Sequence, residues 1–192
     1  MAYFAHTHPD FPSDSSAWEP LFTPFGEGEH ECQREKCCKC KNLEPYHGHL
    51  NKVAFWSAKF AAEMFSNNSQ ESVNPYQWGY LTGLWHDLGK FSQNFQDCLK
   101  GSPLPVDHST AGAVHSLDLK TFGPRISYLI AGHHAGLADG NYLFKERLKK
   151  EIPDWYANAQ ASGVPLDSKL PNPPLNRPSF QILDASRQVV LK

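Results

Sequence analysis

Between residue 46 and about residue 150, apolar side chains recur at helical spacing, and four of the predicted helices carry a histidine at an inner or terminal position. His49, Val53, Trp56 and Phe60 fall at i, i+4, i+7 and i+11. That stripe predicts a first helix from Tyr46 to Phe65 with His49 turned to the core. Pro75 suits the first turn of a second helix. Tyr80, Leu81, Leu84, Trp85 and Leu88 should be mostly buried there, with His86 and Asp87 on the last turn and Gly89 as C-terminal cap. A third helix is expected from His108 to Lys120, where Ala111, Gly112 and Ala113 permit close packing. A fourth should start at Pro124 and end near His134, with Ile126, Leu129, Ile130 and His133 inward and Gly136 as stop signal. Tyr142 to Ile152 reads as a short charged helix. Its Lys145, Arg147, Lys149 and Lys150, interleaved with Glu146 and Glu151, look like a solvated face. The expected fold class is therefore all-α, a helical bundle.

The flanks differ. Residues 1–45 look irregular, with Pro9, Pro12, Pro20, Pro24 and Pro45. The segment 153–178 holds six prolines and reads as an extended loop. Phe180 to Leu191 reads as a final helix with no stop signal, as if cut from something longer. A chain of 192 residues is expected to be one domain: an N-terminal region (1–45), a helical metal-binding core (46–152), then a Pro-rich loop and terminal helix (153–192). A chain of this size buries about 70% of its unfolded surface and needs no disulfide or metal to fold. Net charge is −2, unlike a protein built to coat duplex DNA. No apolar run approaches the ~18 residues of a membrane span, and no signal-peptide pattern opens the chain. The expected location is cytoplasmic, where Cys32, Cys37, Cys38, Cys40 and Cys98 would be thiols or metal ligands.

The functional signal is His86-Asp87-Leu88-Gly89-Lys90 together with His49, His108, His133 and His134. Imidazoles combined with one carboxylate suit Fe, Mn, Ni, Co or Zn better than Ca or Mg alone. A carboxylate flanked by histidines can bridge two metals, and two bridged metals can activate water against a phosphodiester. A lone histidine such as His49 is more often a hydrogen-bonded core residue. Four helices converging ligands is instead how bundles build metal sites, and unpaired buried histidines would be costly. Lys90 has two readings: a group that stabilises phosphate charge or protonates a leaving oxygen, or a cation favoured at a helix C-terminus.

These residues carry a resemblance. Ala5-His6 with Trp18-Glu19-Pro20-Leu21, His49-Leu50-x-x-Val53-Ala54, Gly83 to Phe91 with Phe95-Gln96, Asp107-His108-Ser109-x-x-Gly112-Ala113 and Gly132-His133-His134-Ala135-Gly136-Leu137 resemble the HD nuclease domain of the type I CRISPR helicase–nuclease, within the HD phosphohydrolase superfamily. The His-Asp pair is common to the superfamily; the Gly-His-His-Ala-Gly-Leu and Asp-His-Ser elements are more specific to the nuclease branch. The resemblance covers much of residues 2–137. It implies an HD-type bundle that cuts single-stranded DNA with one or two divalent metals (Mn, Ni, Co or Fe, with Mg an option), beside a helicase subunit or domain and the Cascade surveillance complex. It implies one metal at His49, His86 and Asp87, and a second at Asp87, His108, His133 and His134, with Asp87 and Lys90 catalytic. His47 rivals His49 but lies off the apolar stripe.

Two departures from that pattern stand out. The family's late aspartate has only Asp184 as a match, in different surroundings. An insertion between Leu21 and His49 holds His30, Cys32, Cys37, Cys38 and Cys40. Cys37-x-x-Cys40 with Cys32 has the ligand types of a structural zinc, and a thiol-rich loop is the competing reading. DNA contacts could come from Lys90, Lys100 and Arg125 with Phe91, Phe95 and Tyr128 as stacking groups; ordinary packing is the favoured reading for Phe95 and Tyr128. Two other function classes compete: a hydrolase of small nucleotides, which would need a closed pocket, and a metal-free docking module.

Overall fold

The computed structural model describes residues 2–24, 48–64, 74–119, 123–134, 136, 139, 141–142 and 146–167. Among them the protein is mostly helical. Six α-helices are present: α1 (His49–Met64), α2 (Pro75–Trp85), α3 (Gln93–Leu99), α4 (Ser109–Ser116), α5 (Gly123–Gly132) and α6 (Trp155–Ala161). One small antiparallel sheet joins β1 (Phe4–His6) to β2 (Glu19–Pro20), in the region where the sequence suggested no regular element. Short 3-10 turns at Leu88–Phe91 and Arg147–Lys149 complete the parts that matter for the site. No helix among the described residues is long and apolar enough to cross a membrane.

The buried face of α1 is not the aromatic stripe. Leu50, Ala54 and Ala58 are fully buried, at i, i+4 and i+8, whereas Phe60 is 48% exposed. The reason is the partner helix. Gly83 of α2 sits so close to α1 that a Cβ there would lie 2.5 Å from the Val53 carbonyl oxygen. Small residues on both sides let the two backbones meet, and the large side chains are left outside. The antiparallel α1–α2 pair thereby places the start of α1, with His49, beside the end of α2. Trp85, Phe91, Leu21, Leu50, Leu84, Leu88, Ile126 and Ile130 are the largest fully buried apolar side chains.

Asn74 caps α2, its side chain accepting from the Tyr76 amide, and Pro75 occupies the first turn as expected. The helix ends at Trp85 rather than at Gly89. Gly89 instead lies in the 3-10 turn, donates its amide to the His108 carbonyl at 3.0 Å, and has no room for a Cβ, which would sit 2.4 Å from that oxygen. It clamps the His108 loop to the Asp87 turn. Ser92 caps α3, a helix absent from the sequence reading.

The N-terminal strand is fastened by side chains. Gln96 of α3 accepts from the Phe4 amide at 3.1 Å and donates to the Phe4 carbonyl at 2.9 Å, completing the strand edge. Within the Pro-rich tail, α6 is a helix where a loop was expected. Asn158 on it donates to the Phe91 carbonyl at 2.9 Å, and Trp85 donates its indole N–H to the Pro165 carbonyl at 2.9 Å. Leu129, expected inward, is 52% exposed. The terminal helix predicted from Phe180 to Leu191 lies outside the described residues.

Gly83→Ala should cost about 1–3 kcal/mol through overpacking against the α1 backbone. Thermal unfolding followed by circular dichroism should show a midpoint lowered by roughly 2–4 °C per kcal/mol. An unchanged midpoint would mean that the two helices can separate freely.

Candidate metal centre

Every histidine of the proposed set sits at a helix end. His49 opens α1, His86 and Asp87 form the turn after α2, His108 immediately precedes α4, and His133 and His134 follow α5. Helix ends converge on one point, so the ligands arrive from four directions while the helix bodies build the core.

Asp87 is the centre, at 1% exposure. Its two carboxylate oxygens face different groups. Oδ2 lies 3.0 Å from His49 Nε2, 3.2 Å from His86 Nε2 and 2.8 Å from Lys90 Nζ. Oδ1 lies 3.2 Å from His133 Nε2 and 3.5 Å from His108 Nε2. Donor atoms of His49, His86 and Asp87 fall within 4.8 Å of one another, as do those of Asp87, His108, His133 and His134. These two His/Asp groups, sharing Asp87, have the composition and spacing to hold a metal ion.

The tautomers fit that use. His86 Nδ1 donates to the Gly83 carbonyl at 2.7 Å, and His133 Nδ1 donates to the Ile130 carbonyl at 2.6 Å. In each neutral ring the Nε2 lone pair then points at Asp87. A lone pair 3.2 Å from a carboxylate oxygen repels it unless a proton or a cation lies between. Carbonyl partners on the far nitrogen are the usual outer support of a metal-ligating imidazole. Asp87 Oδ1 and both ring nitrogens of His108 are buried with no hydrogen-bond partner among the described residues. Unpartnered buried polar atoms that face each other, as Asp87 Oδ1 and His108 Nε2 do at 3.5 Å, are what a cation site leaves when only protein atoms are considered.

Burial disfavours the Asp87 charge, but where the facing His133, His49 and His86 rings donate through Nε2 they outweigh it and hold the carboxyl well below the usual range. A cation between the rings and the carboxylate would do the work of those protons. Burial pushes His108 down to about 4, with Lys90, His134 and His133 adding to the effect and Asp87 opposing it. His134 is also lowered, burial first and His133 next. His49 moves the other way. Burial would lower it, yet Asp87 and Glu19 together raise it.

Lys90 is buried, and its ammonium is held between Asp87 Oδ2 and the Ala5 carbonyl, the latter at 3.3 Å. It pairs with the same oxygen that faces His49 and His86, and lies within the 3-10 turn rather than at the end of α2. Phe91 and Phe95 are also buried, so neither offers a stacking face, whereas Lys100 and Arg125 are exposed.

Three residues near the site were not singled out as ligands or supports. Glu19 Oε2 lies 3.6 Å from His49 Nδ1, and Lys52 Nζ pairs with Glu19 Oε1 at 3.1 Å. The His6 ring packs edge-on to His49 at 4.9 Å. His6, Glu19 and His49 also fall within 4.8 Å by donor atoms. The Lys52 ammonium opposes a cation there, so Glu19 is better placed as the outer carboxylate of His49. Glu19 itself is held to about 2, burial being outweighed by His49 and Lys52. Only its place in the Trp18-Glu19-Pro20-Leu21 stretch hinted at this. The Cys32, Cys37 and Cys40 set, with His30 and Cys38, lies outside the described residues, as do His47 and Asp184. Cys98 is a half-buried free thiol.

No protein-family model matches this sequence, and no curated protein matches it.

Because His49 is raised and His108 and His134 are lowered, metal uptake should displace more proton from the His49 group than from the other. As pH falls from 8 to 6, affinity of the His49 group for Co(II) should drop more steeply than that of the His108 group. Calorimetric titration in buffers of different ionisation enthalpy reads the released protons. Equal proton release from both equivalents would contradict the assignment.

Proposed function

We propose that this domain is a divalent-metal-dependent phosphodiesterase that cleaves single-stranded DNA, the HD nuclease component of a type I CRISPR interference system. The observation that carries the reading is the division of Asp87, with one oxygen toward His49 and His86 and the other toward His108 and His133. His49, His86 and Asp87 would hold one ion; Asp87, His108, His133 and His134 would hold a second. Divalent ions bound there would supply Lewis acidity toward a phosphate and lower the pKa of water. Mn, Ni, Co or Fe suit the nitrogen-rich donor set, with Mg the weaker fit.

The chain's own residues do the positioning. His86 and His133 present fixed tautomers, pinned by the Gly83 and Ile130 carbonyls. Lys90 pairs with Asp87 Oδ2 and keeps its charge matched within the core. Glu19 faces the far side of His49. His133 and His134 lie at the exposed edge of the site, a geometry that favours an extended strand over a small nucleotide in a closed pocket. The sequence motifs around these residues supply the remainder of the reading: the DNA substrate, a helicase subunit or domain and the Cascade complex as partners, and a cytoplasmic setting.

The test is cleavage of circular single-stranded DNA after chelator treatment, with Mn, Ni, Co, Fe, Mg or Zn added back singly. Cutting should return with a transition metal. Asp87→Asn and Asp87→Ala should reduce it by more than about a hundredfold, beyond the usual cost of losing an outer-sphere partner, with an unchanged far-ultraviolet circular dichroism spectrum. Undiminished cutting by a folded Asp87 variant would overturn the assignment. Hydrolysis of free nucleotides without DNA cutting would favour the small-nucleotide class.

A further inference from the structure

Arg147 belongs to a run of charges that reads as a solvated face, yet its side chain is only 17% exposed. Its guanidinium reaches into the bundle from the 3-10 turn Arg147–Lys149. Nη1 donates to the Ala131 carbonyl at 2.6 Å, Nη2 to Ser109 Oγ at 2.6 Å, and Nε to Thr110 Oγ1 at 3.2 Å. Nη2 also lies 3.8 Å from Asp107 Oδ1. Asp107 in turn accepts from the Thr110 amide at 3.1 Å and the Thr110 hydroxyl at 2.8 Å, holding the first turn of α4. One planar group thus ties the start of α4 to the end of α5.

Those two points flank the ligands. Ser109 directly follows His108, and Ala131 stands two residues before His133. The histidines differ in how they are held. His133 is pinned through Nδ1 to its own helix, whereas neither ring nitrogen of His108 has a hydrogen-bond partner among the described residues. The placement of His108 therefore depends on its backbone, which the Gly89 amide holds on one side and the Ser109–Thr110 turn on the other.

We propose that Arg147 is a positioning residue of the group formed by Asp87, His108, His133 and His134, setting the separation of the His108 loop and the His133 helix end. The inference rests on the two-group metal reading, but not on DNA cleavage. A lysine could not replace it, because a single ammonium cannot span the Ala131 carbonyl and the Ser109 hydroxyl with a fixed fork.

The experiment is Co(II) titration of the intact chain, read by the visible absorption of the bound ion, with His49→Ala and His108→Ala assigning the two equivalents. Wild type and the exposed-surface control Lys149→Ala should bind both. Arg147→Ala and Arg147→Lys should keep the equivalent that His108→Ala keeps and weaken the other about 10–100-fold, the range for lost outer supports. Ser109→Ala, which removes the Nη2 contact and the long 3.5 Å bond from Ser109 Oγ to Asp107 Oδ1 but leaves the Ala131 and Thr110 contacts of Arg147, should show a smaller loss of the same equivalent and serves if Arg147→Ala does not fold. A lower thermal midpoint with both equivalents bound at wild-type affinity would overturn the proposal and leave Arg147 a structural clasp. Failure of wild type to bind a second equivalent would overturn the two-group reading and this proposal with it.

Discussion

A single buried carboxylate sets the terms for the rest of the molecule. Asp87 is ionised at 1% exposure, a state that is costly unless charge and hydrogen-bond donors surround it. Lys90 supplies one matched charge from within the core. The facing histidine rings supply the rest wherever they donate to the carboxylate through Nε2. Where those nitrogens carry no proton, their lone pairs face the carboxylate with nothing between, a place that a divalent ion would fill. Stability of the centre and its chemistry are in this sense the same question: what neutralises Asp87 also determines what the site can do.

Bringing five side chains to one carboxylate requires close backbones. α1 and α2 meet through Gly83 and the alanines of α1, and the His108 loop meets the Asp87 turn through Gly89. The N-terminal strand is stitched on by Gln96 and Lys90, so the Ala5 carbonyl becomes part of the environment of the site. Arg147 closes the remaining side. The ligands sit on helix ends, where side chains can converge, while the supports lie on neighbouring turns and strands that only tertiary structure brings near.

The His/Asp cluster could be read in the sequence because it rests on residue types and local spacing: an adjacent His-Asp pair, an adjacent His-His pair, and single histidines at the starts of helical patterns. The start of α2 was equally legible, from Pro75. What misled was size. Val53, Trp56 and Phe60 mark the larger apolar face of α1, but helix contact is made by the small face of Leu50, Ala54 and Ala58, because the partner offers glycine. Pro153 and its neighbours concealed α6, a helix of two turns that follows the proline directly. Glu19, Lys52 and Arg147 act through contacts 16 or more residues away in sequence, so periodicity carries no trace of them. Arg147 in particular looked like its exposed neighbours, since charge pattern alone does not distinguish a buried guanidinium from a solvated one.

In the proposed centre Asp87 joins two metal positions. Electron paramagnetic resonance of the protein loaded with two equivalents of Mn(II) tests it most directly. Ions bridged by one carboxylate at the roughly 3.5–4 Å typical of two-metal sites should give an exchange-coupled spectrum that collapses to that of isolated ions in Asp87→Asn. A wild-type spectrum of isolated Mn(II) alone, at full occupancy, would contradict the account.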